Sequence, residues 1–189
     1  MDVIAYQPRW ADEFSKIARH VRDLVGDAAL RIDHIGSTAV PGLGAKDVID
    51  VQITLSDLDQ AGALTNPLRN AGFRHGTTFE YDAFRGTPAQ DAQLRKLFMR
   101  EPRGERRVHL HIREVGRFNQ RYALLCRDFL RASPGACAEY EQLKRRAAER
   151  FPYDIDGYLS LKEPILHAIY EAASRWAEQI GWRPDRADA

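Results

Sequence analysis

One carboxylate and two imidazoles stand in this chain on segments able to bring them together. Asp50 interrupts the apolar run Val48-Ile49-Asp50-Val51-Gln52-Ile53, and His109 and His111 sit in Val108-His109-Leu110-His111-Ile112-Arg113. Both runs alternate with period two, which predicts strands. Asp50 and Gln52 then share one face of the first, and His109, His111 and Arg113 share one face of the second. An acid beside two imidazoles offers three chemistries. It can hold a divalent metal with mixed nitrogen and oxygen ligands, a set that favours Mn²⁺, Zn²⁺ or Fe²⁺ over Mg²⁺. One histidine can act as a general base on an acceptor hydroxyl. Both histidines can instead donate to a phosphate or carboxylate, or serve as ordinary hydrogen-bonded sheet residues.

Just before Asp50 lies His34-Ile35-Gly36-Ser37-Thr38-Ala39-Val40-Pro41-Gly42-Leu43, a turn of glycine and small hydroxyl residues. Backbone N–H groups after Gly36, with Ser37 and Thr38, can cradle phosphate oxygens; a tight turn that needs glycine is the plainer alternative. Lys46 falls on the same alternate-residue register as Asp50 and can reach a phosphate, or else is a solvated loop lysine. Arg127, Arg131, Lys144 and Lys162 fall on segments that read as helices. They form a second anion grip only if those helices face the sheet opening, and a solvated surface otherwise. Glu80 and Asp82, in a polar loop, could complete a metal site on closure. His20, His75 and His167 read as surface or packing residues.

The elements that must position these groups follow from periodicity. Trp10, Phe14, Ile17, Val21 and Leu24 make an apolar stripe for a first helix over residues 8–25. A strand over 30–35 follows, with Leu30 and Ile32 inward. Ser56-Asp57 caps a second helix to about residue 71, with Leu58, Ala61, Leu64 and Leu68 inward and Pro67 interrupting it. Residues 73–79 read as a strand and 80–93 as a mobile loop, long enough for a lid. A hairpin pairs 96–100 with 108–115. Three helices follow: 118–130, closed by Pro134; 135–151, with Tyr140 and Leu143 inward and Lys144, Arg145, Arg146 and Arg150 outward; and 157–180. The last carries Leu159, Ile165, Ile169 and Trp176 at helical spacing, and Pro164 inside it predicts a kink or a two-part helix. Strands mixed with helices, then helices alone, argue an α+β fold: a twisted mixed sheet with a C-terminal helical layer. One domain over residues 1–182 and a fraying tail over 183–189 are expected.

Composition narrows the partners. Lys+Arg 28 against Asp+Glu 27 leaves a formal charge of +1, and no aromatic-basic stacking motif stands out, so nucleic acid is not the expected ligand. Cys126 and Cys137 have no metal-type spacing and read as reduced thiols, consistent with a cytoplasmic setting. No apolar run approaches the length of a membrane span. Oligomeric state is not legible.

Gly36-Ser37, twelve residues, then Asp50 resembles the signature of the nucleotidyltransferase superfamily. Over residues 4–176 the chain more specifically resembles the GrpB family, a branch of that superfamily sometimes fused to dephospho-CoA kinase. The ten-residue run from His34 to Leu43 carries this resemblance, with His109-Leu110-His111, Phe129-Leu130-Arg131, Tyr140, Leu143-Lys144 and Lys162. It implies a nucleotidyltransferase-like fold with the site at the ends of the central strands. With the Gly-Ser-acid spacing it makes the leading expectation a transfer from an NTP or another phosphorylated small molecule, bound through Gly36, Ser37 and Lys46. A divalent metal (Mg²⁺ or Mn²⁺, or Zn²⁺ or Fe²⁺) is expected at Asp50, assisted by His109 and His111, which stand where the family pattern has a carboxylate. The chain departs from the pattern at Gln52, which stands where a second acid is expected and can offer a metal only a neutral oxygen. The alternatives are a non-catalytic nucleotide- or CoA-related binding module that has lost the full acidic triad, and a metabolite-tailoring enzyme using the same pocket.

Overall fold

The computed structural model describes residues 2–76 and 80–189. α1 (Arg9–Val25) buries the expected face, with Trp10, Phe14, Ala18, Val21 and Val25 inward. Its Trp10 Nε1 donates to Asp47 Oδ1 at 2.7 Å. Arg106 adds a contact to the same carboxylate and a second to Glu13. Asp47 therefore fixes the entry to the strand that carries Asp50.

The strands are β1 (Arg31–Ile35), β2 (Ile49–Leu55), β3 (Arg74–His75), β4 (Leu97–Arg100) and β5 (Val108–Glu114). They form a five-stranded sheet in the order β1-β2-β5-β4-β3. Only β2 and β5 run parallel; the other pairs are antiparallel. Between β2 and β3 lies α2 (Gly62–Asn70), which packs with α1 on one face of the sheet. Ile49, Val51 and Ile53 of β2 and Leu110 and Ile112 of β5 point into that core and are fully or nearly fully buried. The period-two pattern thus sends Asp50, Gln52, His109, His111 and Arg113 to the opposite face.

That second face is covered by α3 (Phe118–Ala132), α4 (Pro134–Arg150) and α5 (Ile155–Ile180). A smaller core joins them to the turn after β1 through Val40, Leu43, Cys126, Leu130, Tyr140 and Ile169. No helix among the described residues is long and apolar enough to cross a membrane.

Several expectations need correction. Leu30 lies outside β1 and is 51% exposed, and Leu159 is also exposed, so the buried face of α5 begins with Tyr158. Pro134 opens α4, a position where its missing N–H costs nothing, and does not merely end α3. The second helix is divided: Asp57 caps a 3₁₀ turn over Leu58–Gln60, and α2 starts at Gly62 with Pro67 inside it. α5 continues through Pro164 as one helix. Lys144, expected outside, is buried. Of the predicted strand over 73–79 only Arg74–His75 pairs, and residues 77–79 lie outside the described residues. In the tail, Asp188 Oδ2 accepts from the His34 and Arg127 nitrogens, and Ala189 N donates to Ile32 O.

Candidate functional site

The parallel pairing of β2 and β5 sets Asp50 opposite His109 and Gln52 opposite His111. The two imidazoles converge on a single oxygen: His109 Nδ1 and His111 Nε2 lie 3.1 Å and 3.3 Å from Asp50 Oδ1. Burial works to raise the Asp50 carboxyl, but the bonds from both histidines outweigh it and hold it well below the usual carboxylate range. His111 is pushed down to about 4, by burial first and then by the Arg113 and Lys96 charges, against its bond to Asp50. Its Nδ1 is buried without a hydrogen-bond partner among the described residues.

The Gly36 turn closes directly over this acid. Gly36 has φ 71° and ψ −170°, a conformation almost confined to glycine. A Cβ there would lie 2.5 Å from Asp50 Oδ2. The glycine is thus required twice, for its backbone and for the contact. Ser37 to Ala39 then form a short 3₁₀ turn. Ser37 and Gly36 line a cavity of about 300 Å³ with Asp50, His111, Asp82, Arg113, Arg127 and Lys162. The rest of its wall includes Tyr122, Cys126, Leu130, Tyr140 and Leu166. The lining therefore combines charged and apolar side chains, the usual make-up of a small-molecule pocket. A further cavity of about 660 Å³ lies between the 81–90 loop and α5 and shares Asp82.

Not every expected ligand residue reaches the cavity. Thr38 is buried, its hydroxyl engaged by His34 Nε2 at 3.0 Å and donating to Val48 O. Gln52 is wholly buried, donating to Gln120 O and accepting from Arg113 Nη1 at 2.7 Å. Arg131 donates to Ala39 O and so braces the turn. Lys144 donates to Gly44 O and holds the 41–46 loop to α4. Lys46 lies with its ammonium 3.7 Å from the Tyr158 ring centroid. Burial and the nearby Lys162 lower Lys46 to about 8 and Lys144 to about 7. Lys162 itself is raised, by Tyr140 first and by Tyr158 and Asp50 after it. Arg127 donates to His34 O, Asp128 and Asp188.

Sequence reasoning did not assign roles to Arg113, Tyr122 or Tyr140. Arg113 carried a signal, being two residues beyond His111 on the same face. Tyr140 carried only the family resemblance, because its helical spacing matches that of a core residue. Asp82 is placed beside the site by the loop that bears it, where it meets Lys96, Arg113 and Asn119. The loop is also seated by Phe84, whose ring contacts Phe118, Tyr122, His167 and Tyr170.

The donor set suits a divalent cation. One ligand atom each from Asp50, His109 and His111 falls within 4.8 Å of the others. Two imidazole nitrogens and a single carboxylate favour Mn²⁺, Zn²⁺ or Fe²⁺ over Mg²⁺, which prefers an all-oxygen shell.

A family model described as GrpB protein matches residues 1–172. The chain belongs to the GrpB family. The crystal structure of the conserved protein GrpB from Enterococcus faecalis superposes with a TM-score of 0.76 at 26% identity, covering 93% of this chain and 99% of that one. A crystal structure of the Cid1 poly(U) polymerase matches at a TM-score of 0.52 and 12% identity, over 84% of this chain and 49% of that one. At that identity the likeness shows the fold alone, a nucleotidyltransferase-like α+β architecture. Among curated proteins, a dephospho-CoA kinase of Mycolicibacterium paratuberculosis is 37% identical over 94% of this GrpB chain and 47% of its own length. A UPF0157 protein of Streptomyces coelicolor is 30% identical over 89% of this chain and 81% of its own. This GrpB chain thus spans about half the length of the mycobacterial relatives it matches.

Proposed function

We propose that this GrpB protein is a nucleotidyltransferase-type enzyme that acts on an NTP or another phosphorylated small molecule with the help of a divalent metal. The observation that carries this reading is the Gly36 turn resting on an ionised Asp50, with His109 and His111 on the same carboxylate oxygen. Asp50, His109 and His111 would hold the metal, which when bound supplies charge neutralisation and orientation to a phosphoryl group. Gly36 and Ser37 offer backbone and hydroxyl donors to phosphate oxygens at the cavity mouth. Lys162 and Arg127, which both line the cavity, offer the cationic contact to the remaining anionic oxygens. The apolar wall from Tyr122 to Leu166 accommodates the non-anionic body of the ligand.

A second reading is a binding module without turnover. Gln52 favours it, because both ends of its amide are engaged in buried bonds at the position where a second acid is expected. One experiment separates the two: a thermal-shift panel of NTPs, dephospho-CoA and common metabolites, each with Mg²⁺, Mn²⁺, Zn²⁺ or EDTA. Under the transferase reading, stabilisation needs both nucleotide and metal and disappears in Asp50→Ala and His109→Ala. Stabilisation that persists in EDTA supports the binding module. If Asp50→Ala leaves ligand and metal binding unchanged, the transferase reading is wrong.

A further inference from the structure

We propose that the site is mononuclear, holding one divalent ion, and that Arg113 supplies the fixed positive charge that a second ion would bring. The inference rests on the metal-assisted reading above. It follows from how the acids of this sheet face are already committed. Asp33, on β1 directly across from Gln52, is fully buried. It is held by two bonds from Arg31, Nε to Oδ2 at 3.1 Å and Nη2 to Oδ1 at 2.8 Å. Asp82 receives Lys96 on one oxygen, and Arg113 with Asn119 on the other. Both carboxylates are therefore neutralised by permanent cations and cannot bind a metal without stranding a buried charge, which costs several kcal/mol. Asp50 differs because its partners are imidazoles, which exchange a proton for a metal readily.

The strand pattern places Arg113 to replace the missing ion. It lies two residues beyond His111 on β5 and is opposite Thr54 in the register, one step along from Gln52. Its Nη1 donates to Gln52 Oε1, and its Nε and Nη2 lie 3.0 Å and 2.8 Å from Asp82 Oδ2. With Lys96, it brings two cations to the one Asp82 carboxylate, leaving net positive charge behind the cavity wall that Arg113 and Asp82 form with Asp50. A neutral Gln52 is what such an arginine requires. An aspartate there would add the anion that draws in a second metal, whereas the glutamine carbonyl accepts from Arg113 without that charge.

The test is a metal count with Mn²⁺ alone, by equilibrium dialysis and low-temperature electron paramagnetic resonance. Wild type is expected to bind one Mn²⁺ per chain with an uncoupled, mononuclear spectrum, and Arg113→Lys to do the same. The double variant Gln52→Asp/Arg113→Gln is expected to bind two, with exchange coupling between them. Two ions or none in wild type would overturn the proposal, as would a count of one in a folded double variant. Should the double variant misfold, the wild-type count decides alone. Nucleotide binding is measured separately. One bound Mn²⁺ with no nucleotide binding unseats the transferase reading and leaves this inference, whereas two ions with nucleotide bound does the reverse.

Discussion

Replacing Gly36 with alanine tests how the turn and Asp50 depend on each other. The backbone at φ 71°, ψ −170° costs a non-glycine residue about 1–3 kcal/mol. The new Cβ would also lie 2.5 Å from Asp50 Oδ2, an atom that cannot swing aside cheaply while its carboxylate is held by two histidines. Such overpacking adds about 1–3 kcal/mol, for a total near ~4 kcal/mol. For a chain of this size that lowers Tm by about 8–16 °C. Gly42 is the control: it too has a positive φ, of 82°, but nothing lies within 4 Å of its Cβ position. Gly42→Ala should therefore show only the backbone cost, about 1–2 kcal/mol. Asp50→Ala removes the clashing oxygen, so Gly36→Ala should cost at least ~1 kcal/mol less in that background than in wild type. Urea unfolding of the four species in the cycle, with Gly42→Ala alongside, measures every quantity needed. Equal costs at Gly36 and Gly42, or strict additivity with Asp50→Ala, would refute the argument that the turn rests on the acid.

Other predictions follow from single contacts. His34 is buried against Phe14 and lowered to about 4, by burial above all. The unfolded chain then binds its proton first as pH falls, so stability is full above about 6.5 and declines between 6.5 and 4, by up to ~3 kcal/mol from this residue. His34→Gln should flatten that part of a pH series of urea melts. Phe84→Ala should empty the ring cage formed by Phe118, Tyr122, His167 and Tyr170, costing about 1–3 kcal/mol, and hydrogen exchange should quicken over residues 80–93 while the strands stay protected. Lys162→Ala should raise the Lys46 and Lys144 pKa values from about 8 and about 7, because it removes a neighbouring cation. NMR of ¹³C-methylated lysines reads that change directly; unmoved resonances would mean that burial alone sets them.

The central sheet was legible in the sequence because its signal is local. Alternation over 48–53 and 108–113 fixes which side chains share a face, whatever the strands pair with. The pairing of β2 with β5 was not written there, since a parallel register depends on the whole intervening chain. The helices illustrate the limit in another way. Lys144 has the composition of a surface residue, yet the carbonyl that holds it belongs to Gly44, a hundred residues away. Thr38 and Gln52 look like ligand contacts in a linear motif. Their bonds to Val48 and to Gln120 and Arg113 only become apparent once the strand and α3 are placed. Asp82 was visible as an acid in a polar loop, but nothing nearby in sequence announced the two cations that hold it.

The parallel register of β2 on β5 also sets where this protein can change length. Asp50 faces His109, Gln52 faces His111 and Thr54 faces Arg113, so the site is spaced in steps of two residues on both strands. Inserting one residue between His109 and His111 would turn everything beyond it to the opposite face, sending Arg113 into the apolar core and Ile112 into the cavity. The turn at Gly104 lies outside that constraint, with open space around its Cβ position and both flanking strands already paired. Length variation among relatives, and any engineered tag or loop graft, should therefore be tolerated at Gly104 and rejected from Val108 onward, where β5 begins.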